Sequence, residues 1–243
     1  MSTDPNSDAV AAMKRAAAQG AASEAQDGMV IGLGSGSTAE FFLHALAERV
    51  RQGLRVTGVP SSARTGTIAA SLGIPLCQLD EANALDMSVD GADEVVLPSL
   101  DLVKGRGGAL LHEKLVAAVS RRRVIIVDSS KLVPTLGSRA PLPVEVVCFG
   151  WVHTARRLTA LGWQVERRLA PSDDSAAEDV APFVTDSGNY VLDCHTGPLV
   201  DAPATARFVK SLVGVVDHGL FIGMTERVIV AGVDAVRSYD RQA

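Results

Sequence analysis

The chain has 243 residues, of which 47% are apolar and 21% are charged, as expected for one large globular domain or two small ones. With 23 Lys and Arg against 28 Asp and Glu, the net charge of −5 argues against nucleic acids and anionic membranes as partners. The sequence has no apolar run of membrane-spanning length, no signal-peptide pattern at its start and no cysteine pair spaced for structural zinc. We therefore expect a cytoplasmic protein.

Strands and helices alternate over the first half of the sequence. A polar start precedes an alanine-rich helix, which Asp8 can cap and which reaches about residue 26. We predict strands at 29–33, 54–59, 74–79, 84–89 and 123–127, with further helices at 39–50 and ending at Leu72. This alternation implies a parallel α/β sheet with right-handed crossovers.

The composition changes after Pro141. We predict strands at 144–149 and 163–167, a hairpin formed by 183–185 and 190–194, a strand at 213–221, and helices at 151–161 and 204–212. The order β-α-β-β-α-β is typical of a ferredoxin-like unit. An acidic insertion at 170–182 is predicted to be mobile. A last strand at 227–231 is predicted to return to the first sheet.

Polar clusters follow the predicted strands that end at Leu33, Val59, Val89 and Val127. In open α/β sheets, ligands bind at the carboxyl ends of the strands. We therefore expect the four clusters to converge on one crevice, and this joint placement is stronger evidence than any single cluster.

The stretch 88–119 concentrates the candidate chemistry. It holds three carboxylates (Asp90, Asp93 and Glu94), then Lys104 at the entry of a glycine-rich turn, then Glu113 on a helix. Acids, a cation and backbone donors in one segment are suited to proton transfer on an anionic substrate. Each piece also has a simpler interpretation: an acidic turn, a loop that needs positive φ, and a solvated helix residue.

The helix that carries Glu113 is apolar nearly all round, which predicts that it is buried. Partial desolvation would raise the pKa of Glu113, while the helix N-terminus acts in the opposite direction. Asp90 and Asp93 are expected on a more solvated loop, where they should stay ionised.

The glycine loop at 32–37 does not fit the dinucleotide-binding fingerprint, because Ser37 stands where the last glycine is needed and no acid ends the second strand. It also lacks the lysine of a Walker A motif. Its hydroxyl groups at a helix N-terminus could bind a phosphate or could simply cap the helix. Lys131, after another strand end, favours phosphate.

With these segments placed, the chain resembles the type A family of ribose-5-phosphate isomerases from about residue 28 to about residue 232. The resemblance is carried by GLGSGST (32–38), SS (61–62), VDGADE (89–94), KGRGGALL (104–111), EK (113–114), DSSK (128–131), LPVEV (142–146), TD (185–186), GN (188–189), GVV (214–216) and GLF (219–221). Two departures are small: Ser35 stands where the family often has Thr, and His112 where Arg is common.

The resemblance implies a Rossmann-like, mostly parallel α/β sheet domain (1–141 plus 214–243) and a smaller ferredoxin-like α+β lid domain (142–213). It implies an aldose–ketose isomerase of the pentose phosphate pathway that interconverts D-ribose 5-phosphate and D-ribulose 5-phosphate through an enediolate. No cofactor and no metal are implied, and the expected assembly is a homodimer or homotetramer.

By the same resemblance, Glu113 would move the proton between C1 and C2, and Lys104 would stabilise the developing oxyanion. Asp90 would assist opening of the furanose ring, while Asp93 would bind hydroxyl groups and hold Lys104. The implied substrate contacts are Ser35, Gly36, Ser37, Thr38, Asp90, Gly91, Ala92, Asp93, Lys104, Gly105, Arg106, Gly107 and Lys131, with the phosphate at Ser35–Thr38 and Lys131.

Three other functions remain open from the sequence. A sugar-phosphate-sensing regulatory module could use the same fold, although it would need a DNA-binding unit. A magnesium-dependent phosphotransferase could use Asp90, Asp93 and Glu94 as ligands. An acyl-CoA transferase on a related fold could use Glu113 as its nucleophile.

Overall fold

The structure is a computed structural model that describes residues 5–171 and 180–242; residues 172–179 of the predicted insertion and the first four residues of the polar start therefore lie outside the described residues. Its helices are α1 (Pro5–Ser23), α2 (Gly36–Arg51), α3 (Ala63–Ser71), α4 (Leu110–Val119), α5 (Trp151–Thr159) and α6 (Ala202–Ser211). Its strands are β1 (Val30–Leu33), β2 (Thr57–Pro60), β3 (Met87–Asp90), β4 (Glu94–Val96), β5 (Asp101–Val103), β6 (Arg123–Asp128), β7 (Leu142–Val146), β8 (Gln164–Arg167), β9 (Tyr190–His195), β10 (Val215–His218), β11 (Leu220–Phe221), β12 (Arg227–Ala231) and β13 (Val236–Asp240). Among the described helices, none combines the length and the apolar character needed to cross a membrane.

A six-stranded sheet has the order β13-β12-β6-β3-β1-β2 and is parallel except at its edge, where β13 runs antiparallel to β12. The predicted α/β class and the return of 227–231 to this sheet are confirmed. Short alanine side chains allow α1 to lie close to the strands beside α2. The buried layer contributed by the two helices is Ala17, Ala18, Ala21, Ala22, Phe42, Leu43 and Leu46.

A four-stranded antiparallel sheet has the order β10-β7-β9-β8, which confirms the ferredoxin-like pattern. Its β10 strand covers Val215–His218 and pairs with β7, although the expected domain boundary lies at residue 213. Sheet membership therefore differs from the expected 142–213 unit, and we propose that the second domain extends from 142 to 218.

A third sheet, β11-β5-β4, was not predicted, because its strands have only two or three residues and show no clear periodicity. The predicted single strand at 213–221 is wrong: it is split at Gly219 between the second and third sheets. Gly219 is bonded on both sides, since its N–H donates to the Pro143 carbonyl at 2.7 Å and its carbonyl accepts from the Lys104 N–H at 2.8 Å.

Two other predicted strands are reduced to isolated bridges. At 74–79, Leu76 bridges Gly58, but Pro75 supplies no N–H and the chain then turns into a 3₁₀ helix. At 183–185, Val184 bridges Tyr190 only once, so the predicted hairpin has one regular arm, β9.

Helix α4 packs against the middle of the six-stranded sheet through a glycine. A Cβ atom on Gly32 of β1 would collide with Val116 of α4 and would lie 2.9 Å from the Ser88 Cβ. The opposite face of α4 is exposed, with Leu115 at 48% and Val119 at 43%. The prediction that this helix is buried all round is therefore wrong for that face.

We expect Gly32→Ala to lower the free energy of unfolding by about 1–3 kcal/mol, the usual effect of overpacking a core. The matched control is Gly20→Ala in α1, where a Cβ would meet only Ile229 atoms at 3.6 and 3.7 Å. That control should keep or raise stability by up to about 1 kcal/mol, because alanine favours the helix. Urea unfolding measures both, and equal stability of Gly32→Ala and the unsubstituted chain would contradict the packing.

Candidate active site

The candidate site lies where the strand order of the six-stranded sheet reverses. β1 pairs with β2 on one side and with β3 on the other, and such a switch point is the usual ligand site of an open α/β sheet. Ser35 follows β1, Asp90 ends β3 and Lys131 follows β6, so three predicted polar clusters meet. The cluster after β2 contacts the glycine loop but does not line the cavity: the Thr65 hydroxyl donates to the Gly34 carbonyl at 3.1 Å, and Ser62 caps α3.

Asp90 lies at the base of this crevice and is only 8% exposed. One of its oxygens accepts backbone N–H groups from Ser35 at 3.1 Å and Gly91 at 2.7 Å. The other lies 2.9 Å from the Lys104 Nζ atom. The expectation that Asp90 is on a solvated loop is wrong, because it is the last residue of a buried strand.

Lys104 is 4% exposed, and its ammonium group is surrounded by oxygen atoms. Its Nζ donates to the Gly91 carbonyl at 2.6 Å and lies 3.3 Å from a Glu113 oxygen, in addition to its Asp90 contact. The Phe221 ring centroid is 5.6 Å from the same atom. Lys104 therefore presents a fixed positive charge beside two carboxylates.

Glu113 lies in the first turn of α4 and is 5% exposed, as its predicted burial requires. Its Oε1 atom accepts a hydrogen bond from the Ser35 hydroxyl. Its Oε2 atom faces Lys104 and has no hydrogen-bond partner among the described residues. Ser35 therefore orients the carboxylate instead of capping α2, and one oxygen is left for another proton.

One cation shared by two carboxylates shifts the acid–base behaviour of the cluster. The pKa of Asp90 is raised to about 7, chiefly because burial disfavours its charged form; Lys104 opposes this shift and Glu113 adds to it. Burial also disfavours the Lys104 ammonium, but Asp90 and Glu113 outweigh this and raise its pKa. The cluster therefore holds a carboxyl proton near neutral pH.

A cavity of about 350 Å³ opens above this cluster. Its lining residues are Lys14, Ser35, Gly36, Ser37, Thr38, Gly91, Ala92, Asp93, Lys104, Gly105, Arg106, Gly107, Glu113 and Lys131. Every residue predicted for the site is present except Asp90, which lines a smaller space behind Lys104. Asp90 therefore does not line the cavity itself; it contacts Lys104, which does.

Asp93 has a different contact from the one expected. Its carboxylate accepts the Arg106 backbone N–H at 3.0 Å, whereas the ion pairs of Lys104 are with Asp90 and Glu113. Burial raises the pKa of Asp93, although the Arg106 N–H opposes the shift. Asp93 thus holds the glycine-rich loop, and the expectation that it holds Lys104 directly is wrong.

The far end of the cavity is suited to an anion. The start of α2 contributes backbone N–H groups and the positive end of its dipole. Lys14 of α1 donates from Nζ to the Ser37 hydroxyl at 2.9 Å, and Lys131 lines the same cavity. Lys14 was missed, because nothing in its alanine-rich helix indicates that it reaches α2.

Glu94 does not join the other two acids. Its carboxylate accepts backbone N–H groups from Gly137, Arg139 and Ala140, so it fixes a loop on the other side of β4. Among residues 5–171 and 180–242, no group of three or more His, Cys, Asp and Glu side chains is arranged to hold a metal ion.

Comparisons with known proteins show which family the chain resembles. A profile of the family described as "Ribose 5-phosphate isomerase A (phosphoriboisomerase A)" matches residues 57–235. The chain is 51% identical over 228 residues to ribose-5-phosphate isomerase A of Synechococcus sp. (strain JA-3-3Ab), covering 93% of this chain and 96% of the relative. It is 49% identical to the protein of the same name from Thermomicrobium roseum, covering 94% and 93%.

Solved structures give the same result. A D-ribose-5-phosphate isomerase in complex with phospho-erythronic acid superposes with a TM-score of 0.90 at 34% identity, covering 96% of this chain and 99% of the other. Ribose 5-phosphate isomerase from Plasmodium falciparum superposes with a TM-score of 0.88 at 35% identity, covering 96% and 100%. The chain therefore belongs to the ribose 5-phosphate isomerase A family.

Proposed function

We propose that this protein interconverts D-ribose 5-phosphate and D-ribulose 5-phosphate without a metal or cofactor. The observation that carries the proposal is the contact of Lys104 with both Asp90 and Glu113 at a cavity that Lys14 and Lys131 also line. The direct test is formation of a ketopentose phosphate from ribose 5-phosphate by purified protein in excess chelator. Absence of product would reject the proposal, and loss of activity only with chelator would favour a metal-dependent reaction.

In the proposed reaction, Glu113 removes the proton from C2 of the open-chain aldose. The electron pair left on carbon forms the C1–C2 double bond of an enediolate, and the former aldehyde oxygen becomes negative. The fixed ammonium of Lys104 stabilises this charge where it develops. The proton of the C2 hydroxyl group passes to the C1 oxygen, Glu113 returns its own proton to C1, and the C2 oxygen becomes the ketone oxygen.

The surroundings of Glu113 support its role as the base. A base must be held firmly yet keep a lone pair free, and Ser35 binds one oxygen while the other has no hydrogen-bond donor among the described residues. The planar carboxylate of a phosphorylated aldonic acid resembles an enediolate in shape and charge. We therefore expect phospho-erythronic acid, found in a related structure, to compete with substrate here.

Asp90 is assigned an indirect role. Ring opening by Asp90, implied by the family resemblance, stays a prediction; its position behind Lys104 favours an effect through that ammonium group. Asp93, Gly105 and Arg106 are proposed to form the wall that contacts the sugar hydroxyl groups, while Gly36–Thr38, Lys14 and Lys131 bind the phosphate.

The other functions considered have less support. The Glu94 carboxylate accepts backbone N–H groups of a loop, so it is not available as one of the three ligands of a magnesium site. Family membership also supports an isomerase over an acyl-CoA transferase. Family membership supports an enzyme over a regulatory module.

We also propose a cytoplasmic homodimer or homotetramer. The exposed apolar side chains on α4, Leu115 and Val119, support an assembly interface. Light scattering at several concentrations tests it: a monomer throughout would contradict the proposal.

Substitution of the base should abolish most of the chemistry. Glu113→Gln is expected to lower kcat by about 10²–10⁴, the usual contribution of a general base, while the fold is kept. Incorporation of deuterium from D₂O into the sugar should fall in parallel. Glu48→Gln, in an exposed pair with Arg51, is the control and should be fully active. Deuterium exchange at the normal rate in Glu113→Gln would place the base elsewhere.

Loss of either phosphate-site lysine should affect binding more than turnover. Lys14→Ala and Lys131→Ala are expected to raise KM about tenfold or more, given about 1.5–3 kcal/mol for a hydrogen bond to a charged group. Their charges meet the phosphate equally in the ground and transition states, so kcat should change less. Lys210→Ala, on a half-exposed lysine paired with Asp217, is the control. A normal KM for both variants would refute the assignment.

The raised pKa of Asp90 predicts a pH dependence of stability. Between its ordinary value of 3.8 and about 7, the folded chain retains a proton that the unfolded chain releases. This group therefore favours folding below about pH 4, and its contribution is lost as the pH rises to about 7. Relative to the unsubstituted protein, Asp90→Asn should gain stability from pH 4 to 7 in urea unfolding. Parallel pH curves would show that Asp90 does not titrate in this range.

A further inference from the structure

The active-site loop is held from the four-stranded sheet by one guanidinium group. Arg168 directly follows β8, and its Nη1 atom donates to the carbonyl oxygens of Gly105 at 2.9 Å and Arg106 at 3.0 Å. Its Nε atom donates to the Asp193 carboxylate of β9 at 2.8 Å. Arg168 therefore connects the loop that follows Lys104 to two strands of the other sheet.

Because the peptide bond is planar, each carbonyl group that Arg168 holds also determines where the next N–H group points. In a trans peptide, the C=O and the following N–H point in opposite directions. With the Gly105 carbonyl held by Arg168, the Arg106 N–H points the other way, and it does so onto Asp93 at 3.0 Å. By the same geometry, the hold on the Arg106 carbonyl turns the Gly107 N–H away from Arg168.

The loop is the wall between two cavities. Arg168 lines a neighbouring cavity of about 610 Å³, whereas Gly107 lines the 350 Å³ catalytic cavity; Asp93, Arg106 and Lys131 line both. An N–H group of Gly107 that points away from Arg168 therefore points to the catalytic side. Gly107 itself lies beside Ser35, since a Cβ atom on Gly107 would have the Ser35 Oγ as its nearest atom, at 3.8 Å.

A second contact, from Phe183 beside the four-stranded sheet, fixes the end of the same loop. Gly108 has φ of +83°, and a Cβ there would collide with the Phe183 ring. The Phe183 backbone N–H donates a hydrogen bond to the Arg168 carbonyl at 2.9 Å. The guanidinium carbon of Arg168 lies 5.9 Å from the centroid of that ring. Two stretches that are hydrogen-bonded to each other, at Arg168 and at Phe183, thus supply the two supports of the loop.

We propose that Arg168 is a positioning residue for the isomerisation: it fixes the Arg106–Gly107 peptide so that the Gly107 N–H donates a hydrogen bond to the oxygen atom on C1 or C2 of the sugar. This inference rests on the proposed function. A donor fixed before the reaction is effective because it needs no reorganisation when charge develops.

The competing interpretation is that Arg168 only stabilises the four-stranded sheet through Asp193. The two side chains have similar exposures, 14% and 19%, so loss of either partner of the pair should affect stability to a similar extent. Only Arg168, however, contacts the loop carbonyl groups. Comparison of the two partners therefore separates a positioning role from a purely structural one.

The experiment compares Arg168→Gln, Arg168→Lys and Asp193→Asn with Arg167→Gln as the matched control. Arg167 points to the opposite face of the strand, where its guanidinium carbon lies 4.6 Å from the Trp151 ring centroid. Steady-state kinetics are measured well below the melting temperature of each variant. Hydrogen exchange of the peptide that covers residues 104–110 is measured in the same samples, without substrate.

We expect Arg168→Gln to lower kcat by about 10-fold to 100-fold, which is below the 10²–10³ found for removal of a direct donor. KM should change less than threefold, and Arg168→Lys should recover part of the rate. Asp193→Asn and Arg167→Gln should stay within about threefold in kcat. Equal losses in Arg168→Gln and Asp193→Asn, or a normal kcat in Arg168→Gln, would overturn the proposal.

Hydrogen exchange separates failure of this inference from failure of the proposed function. Exchange in the 104–110 peptide should be faster in Arg168→Gln than in Asp193→Asn, whatever the substrate of the enzyme is. If the unsubstituted protein forms no ketose, the proposed function fails, while faster exchange still supports loop positioning. If ketose forms and exchange is the same in both variants, the positioning role is rejected.

Discussion

The burial of the Lys104 ammonium is the constraint on which the site depends. Removal of an ammonium or a carboxylate from water costs several kcal/mol per ion, so a charge this deep persists only with well-placed partners. The end of β3, the turn after it and the first turn of α4 each supply an oxygen to the same nitrogen atom. The glycine in β1 that admits α4 is part of the same requirement, because Glu113 must come within reach of Lys104.

The imbalance of charge in this cluster suits it to proton transfer. One ammonium cannot fully compensate two carboxylates in a low-dielectric pocket, so one carboxyl group tends to keep a proton near pH 7. A carboxyl group that titrates near the working pH can take up and release a proton efficiently, and in this cluster that group is Asp90.

Local patterns in the sequence predict much of this arrangement, because strand ends in a parallel sheet must meet at one edge. That rule is sufficient to bring Ser35, Asp90 and Lys131 together. It does not predict how deep each group lies, and Asp90 was therefore placed on a solvated loop when it is buried. Lys14 and Arg168 could not be identified, since their contacts cross between helices or between sheets and leave no trace in local spacing.

The position of Gly219 has a consequence for how the molecule can move and be divided. This residue marks the passage from the second sheet to the third, where a flexible hinge is often sought. Its N–H and its carbonyl are both used, and a side chain would collide with the Lys104 carbonyl. Rotation about this point would therefore break the backbone hydrogen bond that supports Lys104. The link between the second and third sheets and the support of the Lys104 backbone thus depend on the same residue, and a cut in the chain at Gly219 would affect both.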